Sequence, residues 1–272
     1  MMNLAAVDAR GEMIREPAVA GTFYPSKPLE LRGEVERLLR EAKAPAVTPK
    51  ALIVPHAGYI YSGPIAATAY ATLAPRAAEI SRVVLLGPSH FVPFRGLALP
   101  DAERFLTPLG WVDLDEDACE LLTGRHGVTT NARAHEREHS LEVQLPFLQV
   151  ALPEFKLVPL AVGYAEPAET AAVLGALWGG PETLIVISSD LSHYRSYQAA
   201  AVIDAETAHA IETLDGTPID GEHACGCHPI CGLLQVARAR GMRVVALDRR
   251  SSGDTAGDKR RVVGYGAWAF TM

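Results

Sequence analysis

The chain has 272 residues, of which 49% are hydrophobic and 21% are charged, the composition of an ordinary globular protein. Its formal net charge is −7 at pH 7, and no cluster of lysine and arginine offers the basic face that nucleic-acid binding needs. The apolar runs are far shorter than the roughly 20 residues of a membrane helix, and the first residues lack the pattern of a signal peptide. We therefore expect a cytoplasmic protein that binds neither nucleic acid nor membrane.

Short apolar runs rich in valine, isoleucine and leucine alternate with segments of helical periodicity. Continuous runs bounded by glycine, proline or serine are typical of strands buried on both faces of a sheet. In chain order, the pattern predicts a helix over 29–42, a strand over 51–54, a helix over 63–73, a strand over 82–86, a helix over 140–151, a strand over 157–162, a helix over 166–178, a strand over 184–187, helices over 197–214 and 229–240, and strands over 243–247 and 262–270. This alternation predicts an α/β protein with a largely parallel sheet flanked by helices.

No change of composition and no linker rich in proline or serine divides the chain. We therefore expect a single α/β domain over residues 1–272, with residues 1–15 as a flexible N-terminal tail. Residues 91–110 are predicted to form a long loop with a short hairpin.

Three of the predicted strands run directly into a histidine, at His56, His90 and His193. Ligand sites in open α/β sheets form at the carboxyl ends of the strands, so these three side chains can converge. Imidazole is the commonest metal ligand in proteins and the side chain best suited to act as a base near neutral pH. A lone histidine is more often a surface or core residue, but three at equivalent strand ends favour a functional site.

Three of the four cysteines lie within residues 225–231. Their spacing resembles half of a zinc knuckle, but no second pair of cysteine or histidine ligands completes it. Cys227 and Cys231 fit the role of small apolar residues. Cys225 lies just before the helix predicted to start at Pro229, where unpaired backbone N–H groups lower the pKa of a thiol. Cys225 is therefore a candidate soft ligand for iron, copper or zinc.

Two further patches each allow two interpretations. His139 and Glu142 lie three residues apart at the start of a predicted helix, so they either cap that helix or line a pocket. Asp190 lies three residues before His193 and either orients its imidazole or forms a turn at the end of the strand.

Five motifs in order carry a resemblance to a known family: PHAGYIYSG (55–63), LLGPSHFVP (85–93), EHSLEVQLPF (138–147), SSDLSHY (188–194) and CGCHPI (225–230). From residue 16 to residue 270, the chain resembles the Memo family, also called the AmmeMemoRadiSam system protein B family. That family is related in fold to the class III extradiol dioxygenases. The resemblance implies an α/β fold with a largely parallel or mixed central sheet and a pocket at the strand ends.

Transferred to this sequence, the resemblance implies metal ligands at His56, His90 and Cys225 and a catalytic base at His193 beside Asp190. Extradiol enzymes bind Fe²⁺ with two histidines and a glutamate, whereas Memo-type proteins have a cysteine in place of that glutamate, as this sequence does. The residues expected to line the pocket are Tyr59, Ser89, His139 and Glu142.

The resemblance implies a metal-dependent redox or oxygenase-like enzyme that acts on an unidentified small-molecule substrate. Iron is the expected cofactor, with copper and zinc as alternatives. A second hypothesis is a non-catalytic metal-binding or scaffold protein that works with AMMECR-type and radical-SAM proteins. A third and less favoured hypothesis is a zinc hydrolase, because zinc accepts the same ligand types.

Overall fold

The computed structural model describes residues 6–7 and 11–272, and two β-sheets organise this part of the chain. The strands are β1 (Ala6–Val7), β2 (Met13–Arg15), β3 (Ala51–Val54), β4 (Arg82–Pro88), β5 (Leu97–Leu99), β6 (Arg104–Thr107), β7 (Gly110–Asp113), β8 (Val128–Thr130), β9 (Lys156–Val162), β10 (Thr183–Ser188), β11 (His193–Arg195), β12 (Arg243–Ser251) and β13 (Val262–Thr271). The helices are α1 (Pro28–Glu41), α2 (Tyr59–Ala71), α3 (Glu116–Leu122), α4 (Ala132–Glu136), α5 (Leu145–Ala151), α6 (Pro167–Ala176), α7 (Tyr197–Glu212), α8 (Cys227–Ala239) and α9 (Ser252–Thr255), with 3-10 helices at Ala74–Glu79 and Glu142–Gln144. Within the described residues, no helix is long and apolar enough to cross a membrane.

The larger sheet has nine strands, in the order β11-β13-β3-β10-β4-β9-β5-β8 with β12 paired to β13. The central strands β3, β10, β4 and β9 run parallel, whereas β13 and β5 join them antiparallel. Every residue of β3 and β10 is buried, which explains why their sequences are continuously apolar. The predicted α/β class, with a mixed central sheet flanked by helices, is confirmed.

Helices cover both faces of this sheet and create two apolar cores. On one face α1, α2 and α5 pack together, and on the other α8 packs against α6, β4 and β10. Leu52 and Val54 belong to the first core, while Ala51 and Ile53 belong to the second. Successive side chains of a strand point to opposite faces, so the short strand β3 contributes to both cores.

Some helix boundaries differ from the predicted ones, and proline explains part of the difference. The segment predicted as a helix over 140–151 is a 3-10 turn followed by α5, because Pro146 fits the first turn of a helix, where its missing N–H is not needed. Helix α2 begins at Tyr59 rather than at residue 63 and contains Pro64. Helix α8 begins at Cys227, two residues before Pro229.

The segment 91–110, predicted as a long loop with a short hairpin, contains more strand than expected. Its strand β5 joins the larger sheet beside β9. Strands β6 and β7 form the hairpin, and they belong to a second sheet of order β1-β2-β6-β7. Elements β8 and α4 were not predicted, because they are too short to show a full hydrophobic period.

The tail predicted over residues 1–15 lies partly outside the described residues, which exclude 1–5 and 8–10. Its last part, Met13–Arg15, is strand β2, which pairs with β1 and β6. The side chain of Arg15 is only 6% exposed. Residues 13–15 are therefore part of the packed structure.

The contact between α6 and α8 leaves no room for a side chain at Gly232. A Cβ atom there would lie 2.4 Å from both Cβ and Cγ2 of the buried Thr170. We expect Gly232→Ala to lower the free energy of unfolding by about 1–3 kcal/mol, because the overpacked helices must shift apart. Urea unfolding followed by circular dichroism measures this loss.

Gly175→Ala is the matched control on the exposed side of α6, where a new Cβ would meet nothing within 4 Å. Alanine is favoured over glycine inside a helix by roughly 0.5–1 kcal/mol, so this variant should be as stable as the native chain or slightly more stable. Equal stability of the two variants would contradict the packing between α6 and α8.

Candidate metal centre

His56 and His90 meet at the carboxyl edge of the larger sheet. His56 follows β3, His90 follows β4, and β10 lies between these two strands with parallel pairing to both. The centroids of the two imidazole rings are 5.2 Å apart. The parallel strands therefore bring together two histidines that are distant in sequence.

A third imidazole, that of His139, lies against these two. Its ring stacks on that of His90, with centroids 4.6 Å apart and planes inclined by 19°, and its centroid is 5.5 Å from that of His56. The potential ligand atoms of the three histidines all lie within 4.8 Å of one another. His139 was predicted either to cap a helix or to line the pocket, and the structure places it inside this histidine cluster.

Hydrogen bonds around Ser188 fix the tautomer of His56. The Ser188 hydroxyl donates its single proton to the backbone carbonyl of Ser140 and accepts a hydrogen bond from Nε2 of Gln144. It lies 2.8 Å from Nδ1 of His56 and can only accept there, because its proton is already used. Nδ1 of His56 therefore carries the proton, and Nε2 presents a lone pair.

The carboxylate of Glu138 orients His90 in the same way. Oε1 of Glu138 lies 2.8 Å from Nδ1 of His90, and Oε2 accepts a 2.6 Å hydrogen bond from the backbone N–H of His90. Burial raises the pKa of Glu138, but the hydrogen bonds and charge of His90, together with the backbone N–H of Ser140, outweigh burial and lower that pKa to about 2. The ionised carboxylate accepts the Nδ1 proton, so in the neutral imidazole of His90 the lone pair lies on Nε2.

Burial keeps two of the imidazoles neutral. It lowers the pKa of His56 far below the usual value, and the neighbouring imidazole of His90 acts in the same direction. Burial, assisted by His56, also lowers the pKa of His139 to about 4. A histidine must be neutral to bind a metal ion, so the state of these side chains suits a ligand role.

Cys225 lies beside His56 at the N-terminal end of α8. Its Sγ is 3.4 Å from Nε2 of His56 and accepts a hydrogen bond from the backbone N–H of Asp190 at 3.3 Å. Burial, with the charge of Asp190, raises the pKa of this thiol. The expectation of a lowered pKa is therefore wrong: hydrogen bonds from Asp190, Ser189 and Gly226 do act in that direction, but burial outweighs them.

Asp190 is hydrogen-bonded to His56 and interacts electrostatically with His193. Oδ1 of Asp190 accepts a 2.8 Å hydrogen bond from the backbone N–H of His56. Burial raises the pKa of Asp190, while that hydrogen bond and the charge of His193 oppose the rise. His193 is half-buried at the start of β11, and the next residue, Tyr194, has a left-handed φ of 58°. Asp190 therefore links the predicted base electrostatically to the histidine cluster.

The contacts of Tyr59 and Ser89 explain their places at this edge. The hydroxyl of Tyr59 donates to the carbonyl of Val143, and its ring packs at 4.9 Å from that of Phe147, which places Tyr59 in the core. Ser89 is half-buried, and its hydroxyl donates to the carbonyl of Val92, which closes the turn after β4.

Glu142 makes a buried ion pair with Arg15. Its carboxylate also accepts hydrogen bonds from the backbone N–H groups of Ala18 and Val19 and from the hydroxyl of Tyr24. These contacts differ from both predicted roles, which were a helix cap and a pocket lining. Glu142 instead attaches the N-terminal segment to the segment that carries His139.

Cys227 and Cys231 lie one turn apart on α8 and line a separate cavity of about 910 Å³. The thiol of Cys231 donates to the backbone carbonyls of Gly216 and Ile219. Burial raises the pKa of Cys227 and raises that of Cys231 to about 11, so both are neutral thiols at pH 7. This environment agrees with their interpretation as small apolar residues.

Three polar residues that orient the histidines were not singled out from the sequence: Glu138, Gln144 and Ser188. Each had a signal, because Glu138 directly precedes His139, Gln144 closely follows it, and Ser188 ends a strand two residues before Asp190. Polar side chains adjacent to a predicted ligand are candidates for orienting it.

The fold and the site together define an α/β protein with a histidine cluster, a candidate metal centre, at the carboxyl edge of its sheet. The family model described as Memo-like protein matches residues 15–269. The chain belongs to the Memo family, which confirms the resemblance seen in the motifs.

Relatives extend along nearly the whole chain. A MEMO1 family protein of Aquifex aeolicus is 37% identical over 264 residues, which cover 93% of this chain and 97% of the relative. A MEMO1 family protein of Methanosarcina mazei is 35% identical over 274 residues, covering 93% of this chain and 98% of the relative. Among solved structures, an uncharacterized protein from Escherichia coli K12 has a TM-score of 0.47 and 15% identity, and the match covers 79% of this chain and 98% of that one.

The two buried carboxylates of this segment provide matched tests. We expect Glu138→Gln to weaken metal binding by about 10–100-fold, because an amide no longer holds the Nδ1 proton of His90 as a carboxylate does. We expect Glu142→Gln to leave metal affinity unchanged and to lower the free energy of unfolding by about 3 kcal/mol, because Arg15 is left as a buried charge without its partner.

Metal affinity is measured by competition with a chromogenic chelator, and stability by urea unfolding of the metal-free protein. Native affinity in Glu138→Gln, or a loss of affinity in Glu142→Gln, would contradict the assignment of the two carboxylates.

Proposed function

We propose that this chain is a metal-dependent oxidoreductase, related in chemistry to extradiol dioxygenases, whose iron is held by His56, His90 and Cys225. One observation carries this proposal. The hydrogen bonds of Ser188 and Glu138 hold Nδ1 of both histidines and make Nε2 of each neutral imidazole the candidate ligand atom, and Sγ of Cys225 lies 3.4 Å from Nε2 of His56.

The separation of these donor atoms fits a shared metal ion. Sγ of Cys225 and Nε2 of His56 lie 3.4 Å apart, a separation at which a sulfur and a nitrogen ligand could bind the same ion. The potential ligand atoms of the histidine cluster lie within 4.8 Å of one another, so small side-chain rotations bring His90 to the same ion. His139 then lies beside the centre as a further imidazole.

Iron held there would supply redox chemistry to a small-molecule substrate. Imidazole and thiolate ligands also suit copper and zinc, and we place iron first because the related extradiol enzymes use Fe²⁺. The protein residues would orient the ligands, since His56, Glu138 and Ser188 are all buried, and the exposed His90 would leave the centre open to a substrate.

His193 and Asp190 would handle the proton in this proposal. Histidine is the side chain most often used as a general acid or base. His193 is half-buried, and its charge affects the pKa values of both His56 and Asp190, which supports a position near the reacting groups.

The cellular setting that we propose follows from the cysteines and from the family. Cys119, Cys225, Cys227 and Cys231 are all free thiols, as is usual in a reducing compartment. We therefore place the protein in the cytoplasm, and AMMECR-type and radical-SAM proteins remain the proposed partners.

The test of this function is a metal analysis of protein purified without air, followed by oxygen-uptake measurements with catechols and small thiols as substrates. Bound iron with uptake above that of free iron supports an oxidoreductase. Bound metal without uptake on any substrate would favour the metal-binding hypothesis, and zinc with esterase activity would favour a hydrolase.

Three serine variants test the ligand assignment. We expect Cys225→Ser to lose most of the metal, because a neutral hydroxyl replaces the thiolate ligand, while Cys227→Ser and Cys231→Ser keep it. Metal is quantified under reducing conditions in protein whose fold is checked by circular dichroism.

Cys227→Ser and Cys231→Ser also serve as controls. Both cysteines lie on α8, shortly after Cys225 in the chain, but they line a cavity separate from the histidine cluster. Full metal content in Cys225→Ser, with loss in His139→Ala, would instead assign the centre to the three histidines alone.

His193→Ala separates proton transfer from metal binding. We expect this variant to keep its metal and to lose any turnover by roughly 10²–10⁴-fold, the usual contribution of a general acid or base. Metal content and oxygen uptake are measured on the same preparation. Loss of metal in His193→Ala would place this histidine among the ligands.

A further inference from the structure

A second cavity, of about 890 Å³, lies at the opposite, amino edge of the larger sheet. Its volume is within the range of roughly 300–1,000 Å³ found for small-molecule sites. Apolar residues of the 46–47 segment and of β12 form part of its wall, and Lys50, Arg76, Trp178 and Arg243 also line it. We call this space the amino-edge cavity.

Positive charge is concentrated at this cavity, although the chain as a whole carries a net charge of −7. Lys50 and Arg76 are buried side chains of its wall, and Arg243 is an exposed one. The guanidinium of Arg240 lies 4.3 Å from the ring centroid of Trp178, and Nζ of Lys50 lies 5.5 Å from the same centroid. Three cations, Lys50, Arg76 and Arg243, therefore line the cavity, and a fourth, Arg240, stacks on Trp178 of its wall.

Two buried cations of this wall use only part of their hydrogen-bond donors within the described structure. Nζ of Lys50 donates to the carbonyls of Gly180 and Thr183, which uses two of its three protons. Arg76 is only 8% exposed, and its two Nη atoms donate to the carbonyls of Pro49 and Pro181. Its Nε is buried and has no hydrogen-bond partner among the described residues.

One carboxylate, that of Glu182, interacts with Lys50 through its charge, but its hydrogen bonds lie elsewhere. Its Oε1 accepts hydrogen bonds from the backbone N–H of Gly180 and the hydroxyl of Thr183. Burial, with the charges of Arg76 and Arg240, lowers the pKa of Lys50 to about 8, although Glu182 opposes that change. The hydrogen bonds of Glu182 are therefore made to Gly180 and Thr183 and not to the buried cations of the cavity.

We propose that the amino-edge cavity binds a small organic anion, with its phosphate or carboxylate group beside Lys50 and Arg76 and its apolar part against the cavity wall. An anion would accept the remaining proton of Lys50 and offset the charge of the lining cations Lys50, Arg76 and Arg243. The apolar wall favours an organic anion over an inorganic one, because it offers inorganic phosphate nothing to contact.

This site is distinct from the histidine cluster and does not rest on the proposed function. Lys50 directly precedes β3, and His56 lies two residues after its end. Six residues of extended chain span about 20 Å, so the two sites lie at opposite ends of the same buried strand.

The test is isothermal titration calorimetry of the full chain with phenyl phosphate, phenylacetate and neutral phenol at constant ionic strength. We expect saturable binding of at least one anion with a stoichiometry of one, and no binding of phenol. The anion that binds more tightly identifies the charged group that the cavity prefers.

The double variant Arg240→Gln and Arg243→Gln removes two exposed cations and should weaken that binding by about tenfold. Arg125→Gln with Arg133→Gln is the control, because it removes the same charge at two exposed residues outside the cavity. Lys50→Met should abolish binding. If this buried substitution prevents folding, the double arginine variant still tests the proposal.

Three results would overturn the proposal. They are the absence of saturable binding for both anions, equal weakening by the two double variants, and binding that is lost in Cys225→Ser but kept in Arg240→Gln with Arg243→Gln. The last result would assign the anion to the histidine cluster.

Discussion

The parallel alignment of β3, β10 and β4 is the constraint on which the centre depends. Their pairing sets Val54 opposite Ser188 and Ile187 opposite Leu86, so the three strands end at the same edge of the sheet. A shift of one residue would turn every side chain of a strand to the opposite face. The two apolar cores prevent such a shift, because each buries alternate residues of these strands. The cores thereby hold Ser188 beside His56.

The segment that carries His139 completes this edge by satisfying polar backbone groups where the strands end. The hydroxyl of Ser140 donates to the carbonyl of Pro88, and Nε2 of Gln144 donates to the carbonyl of Pro55. A Cβ at residue 87 would lie 2.6 Å from Oγ of Ser140, so only glycine allows this close approach. Because buried polar groups are costly when unpaired, these bonds determine the position of the segment, and hence of His139.

The features that could be predicted from the sequence depend on residues close together in the chain, and those that could not depend on residues far apart in it. The central strands and the histidines that follow them could be predicted, because continuous apolar runs and strand ends are local signals. The contact of Glu142 with Arg15 could not, since these residues lie 127 positions apart and no local pattern connects them. The pKa of Cys225 was predicted in the wrong direction for a similar reason, because the depth of its burial depends on packing by several distant segments.

Strand β3 connects the two sites physically while keeping their chemistry separate. Its four residues are buried on both faces, and polar groups begin only at its ends, with Lys50 at one end and His56 at the other. At the amino edge, Lys50 donates to the carbonyls of Thr183 in β10 and of Gly180 in the turn before it. At the carboxyl edge, His56 bonds to the hydroxyl of Ser188, the last residue of β10. The cationic cavity and the histidine cluster are thus two consequences of one architectural fact: a strand buried at the centre of a sheet must place its polar neighbours at its ends.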